Sequence, residues 1–165
     1  MYKFQNDIVE RMVSFIDEIG IPVRPGHVND DTFLPGIEVV EGGLIIDEAK
    51  LLYPGDLLHE AGHLAVASRE LRNKLSGKVE IPKADLNVIE SAAMCWSYAA
   101  CIHLDLDPRV IFHEHGYHGH SQDLLLNFEL GVFPGVHELV SAGMTRTVSE
   151  PGALKFPAME KWTRD

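Results

Sequence analysis

The stretch Gly55-Asp56-Leu57-Leu58-His59-Glu60-Ala61-Gly62-His63-Leu64-Ala65-Val66-Ala67 decides how the rest of the chain is understood. It carries His-Glu-x-x-His in an apolar setting with no proline and no alternating pattern, so it is expected to be helical. Residues four apart on a helix share a face, with Cβ atoms about 5–6 Å apart, close enough for two imidazoles to hold one ion. Glu60 follows about 100° further round the same turn. That position suits a carboxylate that holds a water beside the ion, rather than a third ligand. Two neutral imidazoles and a nearby carboxylate base are what zinc-assisted hydrolysis requires. Between Asp56 and Arg69, Glu60 is the only Asp, Glu, Lys or Arg. A carboxylate in so apolar a segment is costly to bury without a cation or partner. The competing interpretation is a core helix with two satisfied histidines and a glutamate at its margin.

A zinc site with one open position needs a third protein ligand. A metzincin would continue with Gly at 66 and His at 69, where this chain has Val66 and Arg69. Asp85, within Lys83-Ala84-Asp85-Leu86, lacks the surroundings of the aspartate class. Glu90 is the stronger candidate. From Leu86 to Leu104 the chain reads LNVIESAAMCWSYAACIHL, in which Glu90 is the only Asp, Glu, Lys or Arg, with Asp85 expected as N-cap. So apolar a helix is largely interior, where carboxylates are paired or bind metal. The segment between the two helices leaves room for an extended piece at Lys78-Val79-Glu80-Ile81. Pairing of Glu90 with Arg69, Arg72 or a buried histidine is the alternative to metal ligation.

Ahead of the histidine helix, Ile37–Val40 and Leu44–Asp47 flank Glu41-Gly42-Gly43 and are expected to form a hairpin. Taken together, the HEAGH helix, the preceding hairpin and a second helix supplying Glu90 resemble the gluzincins, most closely the small ImmA/IrrE-type peptidases and minigluzincins. The resemblance spans about residues 37–104. It implies His59, His63 and Glu90 as ligands of Zn2+, Glu60 as general base, and an exposed sheet edge beside the metal that can pair with an extended peptide or protein substrate, against the alternative of a structural hairpin that covers the core. One departure stands out. Many gluzincins place an Asp four residues after the ligand Glu to hold a histidine, and here that position is Met94. Asp47, Asp56 or a backbone carbonyl would then orient an imidazole.

The segment His113-Glu114-His115-Gly116-Tyr117-His118-Gly119-His120 is dense in imidazole. It is either a loop over the metal in which Tyr117, or next His120, donates to a developing oxyanion, or a second ion site, or a solvated turn. A helix is expected over Ser121–Leu130 and another over Val136–Val140, with the tail from Pro151 either a lid, an anchor on a neighbouring chain or a plain packed terminus. An amphipathic helix is expected over residues 4–19, with Phe4, Ile8, Met12, Phe15, Ile16 and Ile19 on one stripe.

The 165 residues fit one domain. A net charge of −11 with no basic run argues against nucleic acid, and no apolar stretch suits a membrane. Without a recognisable signal peptide, and with Cys95 and Cys101 expected as buried thiols, a cytoplasmic setting is expected. The expected fold is α+β: a mainly helical, zincin-like domain with a small sheet beside the histidine helix. The expected activity is zinc-dependent hydrolysis of peptide or amide bonds, against the alternative of a catalytically silent zinc-binding or interaction module.

Overall fold

The computed structural model describes residues 3–76, 83–147, 151–152 and 154–165. Its elements run α1 (Asp7–Glu18), β1 (Val23–Pro25), β2 (Ile37–Val40), β3 (Gly43–Ile46), α2 (Gly55–Val66), α3 (Arg69–Arg72), α4 (Lys83–His103), α5 (Ser121–Glu129) and α6 (Val136–Ser141). The architecture is α+β, with six α-helices among the described residues and a three-stranded mixed sheet.

Helix α1 starts later than its apolar stripe suggests. Asn6 caps it, its side chain accepting from the amides of Ile8 and Val9, while Phe4 is buried ahead of the first turn. Val9, Met12, Phe15 and Ile16 form its buried face. The hairpin is present with a tighter turn than expected. Glu41 and Gly42 both have positive φ, 49° and 76°, so the second strand begins at Gly43 and ends at Ile46. A glutamate in the left-handed region is not announced by its residue type. Strand β1, unanticipated because it is only three residues long and ends on a proline, pairs parallel to β3. The order is therefore β1-β3-β2, which leaves β2 at an edge.

Helix α4 begins at Lys83, so Asp85 lies inside its first turn and is not the cap. The extended piece expected at 78–81 falls outside the described residues. Helices α5 and α6 lie where expected, α5 ending one residue early and α6 one residue late.

Helix α2 packs chiefly against α4, and the apolar core gathers around this pair. Leu57, Leu58, Ala61, Leu64 and Ala65 of α2 meet Ala92, Cys95, Trp96, Ala99 and Ala100 of α4, with the α1 stripe joining them in the same cluster. The tail is packed against its own chain. Trp162 lies edge-on to Phe15 at 4.9 Å between ring centroids, and its carbonyl accepts from the Trp96 indole at 2.8 Å. Cys95 and Cys101 are free and buried, as the sequence suggests. No helix among the described residues is long and apolar enough to cross a membrane.

The C-terminal end of α2 is finished by a buried arginine. Arg72 donates to the carbonyls of Leu64 at 2.7 Å, Ala67 at 3.1 Å and Arg164 at 2.6 Å. The Leu64 and Ala67 carbonyls lie at the C-terminal end of α2, where carbonyls lack a partner one turn further along and a cation suits the negative end of the helix, and the Arg164 carbonyl ties the tail to the same guanidinium. Replacing the guanidinium strands them, so Arg72→Met should lower unfolding free energy by about 1–3 kcal/mol in urea titration. An unchanged midpoint would contradict this role. Burial pushes both thiols up to about 12, which leaves almost no thiolate at neutral pH. A thiol reagent should therefore label neither cysteine in the native protein and both in denaturant. Rapid native labelling would contradict their placement in the core.

Candidate metal centre

Helix α2 sets His59 and His63 one turn apart, and helix α4 crosses against that face at Gly62. A Cβ on Gly62 would sit 2.8 Å from the carbonyl oxygen of Ala93, closer than any side chain tolerates. Glycine is therefore required here by the proximity of two backbones. The same approach brings Glu90, one turn before Ala93, opposite the two histidines.

There the three side chains converge. His59 Nε2 lies 2.9 Å from Glu90 Oε1, His63 Nε2 lies 3.1 Å from Glu90 Oε2, and the two Nε2 atoms are 3.1 Å apart. The imidazoles meet edge to face, at 89°. Among the described residues this is the one group of three or more His, Cys, Asp or Glu side chains whose donor atoms gather closely enough for a metal ion. The alternative partners Arg69 and Arg72 are not at Glu90, since Arg72 is spent on backbone carbonyls.

Does the donor set fit a cation? Bonds of about 2.0–2.2 Å in a tetrahedral zinc site put neighbouring ligand atoms about 3.3 Å apart or slightly more, close to the edges found here. Without a cation, both Nε2 atoms would carry protons donated to Glu90, which sets donor against donor across 3.1 Å. A shared cation removes that conflict. The set is two imidazoles and one carboxylate, which suits zinc with a position left open.

Charge couples the three groups closely. Burial works against a charged His59, but hydrogen bonding and charge from Glu90, with Glu60 and Asp56 behind it, outweigh burial and raise its pKa. Burial also works to raise the pKa of Glu90, yet the bonds from His59 and His63 hold that carboxyl far below the ordinary range. Glu60 is different: burial dominates and raises its pKa, with His63 and His59 only partly offsetting it. No hydrogen bond or ion pair within the described residues ties the Glu60 carboxylate down.

A cleft of about 910 Å³ opens beside this centre. Glu60 and His63 line it together with Ile37, Glu38 and Val39 of edge strand β2 and an apolar wall that includes Leu71 and Ile89. The hairpin therefore stands beside the histidine helix with its edge facing the cleft.

The loop over 113–120 divides its side chains. His113 and Tyr117 turn inward, while Glu114, His115, His118 and His120 are exposed. His113 stacks on Tyr53 at 4.0 Å, and its Nε2 lies 2.9 Å from Asp56 Oδ1. Asp56 thus orients an imidazole, though of the loop and not of the ligand pair. Asp47 engages His27 at 3.1 Å instead. The Tyr117 hydroxyl lies 3.0 Å from His59 Nδ1, the nitrogen facing away from Glu90. His120 is solvent-exposed, 3.9 Å from Asp123. No second metal cluster forms in this loop among the described residues.

Sequence reasoning did not single out Gly62 or the His113–Asp56 pair. The small residue inside HEAGH was visible, but only the helix crossing explains it. Zinc titration followed by chelator competition should give one ion per chain for the wild type. His63→Ala and Glu90→Ala should each abolish that occupancy, and Gly62→Ala should weaken it by roughly tenfold or more by forcing the helices apart. Equal affinity in Glu90→Ala would contradict the triad. Compared with protein-family models, curated proteins and solved structures, the chain matches none.

Proposed function

We propose that the protein is a zinc-dependent hydrolase of the gluzincin kind, built on a zincin-like fold, that cleaves peptide or amide bonds. The observation that carries this is the convergence of His59, His63 and Glu90 at one point, with an unengaged Glu60 carboxylate beside it in an open cleft. His59, His63 and Glu90 would hold the ion. When bound, zinc supplies Lewis acidity toward a carbonyl and lowers the pKa of water.

The remaining work falls to the chain's own groups. Glu60 takes a proton from the attacking water on its carboxylate and passes it to the departing amine nitrogen. Its raised pKa helps, because a base nearer neutrality both accepts and returns a proton efficiently. The edge of β2 offers backbone donors and acceptors along the cleft, which suits an extended peptide held as an added strand. The apolar wall then excludes water around the flanking side chains.

The silent-module alternative rests on the missing aspartate four residues after Glu90 and on the absence of a specificity pocket readable in the sequence. Tyr117 gives His59 Nδ1 a hydrogen-bonding partner from another part of the chain, which weakens the reason for it. Glu60→Gln keeps the shape and the metal ligands but removes the base. It should bind zinc one per chain and lose about 10²–10⁴-fold in turnover on a mixed-peptide library. Equal turnover in this variant would end the base role. A zinc-loaded wild type that cleaves nothing across buffers and pH would favour the silent module.

A further inference from the structure

We infer that Arg164 is a specificity-determining residue: it receives the terminal carboxylate of a short peptide, so that the protein cuts within about three residues of a free C-terminus. This rests on the hydrolase reading above. Three observations lead to it.

The first is how Arg164 is held. Its backbone amide donates to the Ala65 carbonyl of α2 at 2.9 Å, and its own carbonyl accepts from the Arg72 guanidinium at 2.6 Å. Main-chain atoms alone therefore fix the residue at the C-terminal end of α2. The residue is exposed, and among the described residues its guanidinium makes no hydrogen bond or ion pair. A structural arginine is engaged by its surroundings, as Arg72 is; this one is placed and left unengaged. It lines the cleft beside the metal centre, where it is the only Lys or Arg among the described residues. Asp31 and Glu38 line the same cleft from β2 and the segment before it. Like charge disfavours a carboxylate there, whereas the guanidinium fork matches both carboxylate oxygens.

The second is the length of the free sheet edge. The Asp47 amide donates to the Gly36 carbonyl at 2.9 Å, in register with the pairing of Ile37 and Ile46. Antiparallel pairing alternates, so Glu38 and Val40 bond to β3 while the backbone groups of Ile37 and Val39 turn away from it. The Ile37 amide is already taken by the Leu34 carbonyl at 3.2 Å. Past Val40 the hairpin turn is tied to the segment after α3: the Glu41 amide donates to Ser76 Oγ at 2.7 Å and the Gly42 amide to the Leu75 carbonyl at 2.9 Å. Among the described residues this leaves Val39 as the one residue of β2 whose amide and carbonyl are both open to an added strand. A chain that ends inside the cleft suits so short an edge. A long strand running through it does not.

The third is distance. Glu60 and His63 mark the reacting end of the cleft, and Ala67 and Ser68, beyond the last turn of α2, mark the end where Arg164 is held. From either reacting residue to Ala67 the helix rises about 6–10 Å. An extended peptide covers about 3.3–3.6 Å per residue, so about two to three residues separate the bond to be cut from the carboxylate. Leu64, Val66, Leu71, Leu75 and Ile89 line the cleft and suit apolar side chains at those positions. A volume of about 910 Å³ holds a few residues and not the surface of a folded partner.

The test uses the zinc-loaded full chain and N-acetylated pentapeptides ending in two apolar residues, each made as free acid and as C-terminal amide. The acid should be cut with kcat/KM about 10–100-fold above that of the amide, the difference lying in KM, as one charge-assisted contact predicts. Arg164→Gln keeps both main-chain bonds and should keep the wild-type urea midpoint, and in it the difference between acid and amide should collapse. Arg164→Lys should restore part of the preference through its charge. An amide ending in glutamate should be as poor as the other amides. If it matches the acid, a side-chain carboxylate serves equally and the terminal assignment is overturned. Equal handling of acid and amide by the wild type, or a preference that survives in Arg164→Gln because the ion draws the carboxylate, overturns the inference while leaving the hydrolase reading intact. If the zinc-loaded wild type cuts neither peptide, the hydrolase reading fails and calorimetric binding of the same pair decides the rest. Tighter binding of the acid, lost in Arg164→Gln, sustains the carboxylate site; equal binding overturns it as well.

Discussion

Glu90 reaches two imidazoles from another helix, and the rest of the molecule is arranged around making that contact possible. The carboxylate oxygens lie 2.9 and 3.1 Å from the two Nε2 atoms, a separation that only close helix packing permits. The closeness is set at Gly62, where the backbones of α2 and α4 meet with no room for a methyl group. Small residues on α4 extend the same logic: Ala92, Ala93, Ala99 and Ala100 are buried and keep the two helices near one another along their length. Arg72 then closes the far end of α2, so the helix that carries both histidines is anchored at its C-terminus as well as along its face.

Charge is the second constraint. Asp56, Glu60 and Glu90 all act on His59, so three carboxylates share a partly buried region with two imidazoles. Among the described residues the ion pairs of Glu90 and Asp56 are made to histidines, with no Lys or Arg paired to either. A divalent ion is the simplest compensation, and it resolves the short contact between the two Nε2 atoms at the same time. The loop from His113 to Ser121 contributes without adding charge at the ligands. It places a neutral phenol, rather than another carboxylate, behind His59.

Much of this was legible in the residues, for reasons that differ from element to element. His59, Glu60 and His63 are fixed by helical spacing alone, a local property that any reader of the sequence recovers. Glu90 was legible because a lone carboxylate in an apolar helix must find a partner, and the structure brings it to the two histidines. The hairpin was legible in outline from its β-branched runs, but its turn depends on positive φ at Glu41, which the residue type does not signal. Tyr117 drew attention through its neighbours in a histidine-rich loop, with a donor role expected toward the reacting carbonyl. Its place behind His59 follows from a loop conformation with two consecutive left-handed non-glycine residues, and such conformations are set by tertiary contacts.

The claim on which all of this stands is that two imidazoles of α2 and one carboxylate of α4 share an ion. Anomalous diffraction at the zinc absorption edge, from crystals of the protein loaded with one equivalent of zinc, addresses it most directly. The account predicts a single strong peak within bonding distance of His59 Nε2, His63 Nε2 and a Glu90 oxygen. A peak elsewhere, for instance over the exposed histidines at 115, 118 and 120, with the triad left as a metal-free hydrogen-bonded group, would contradict it.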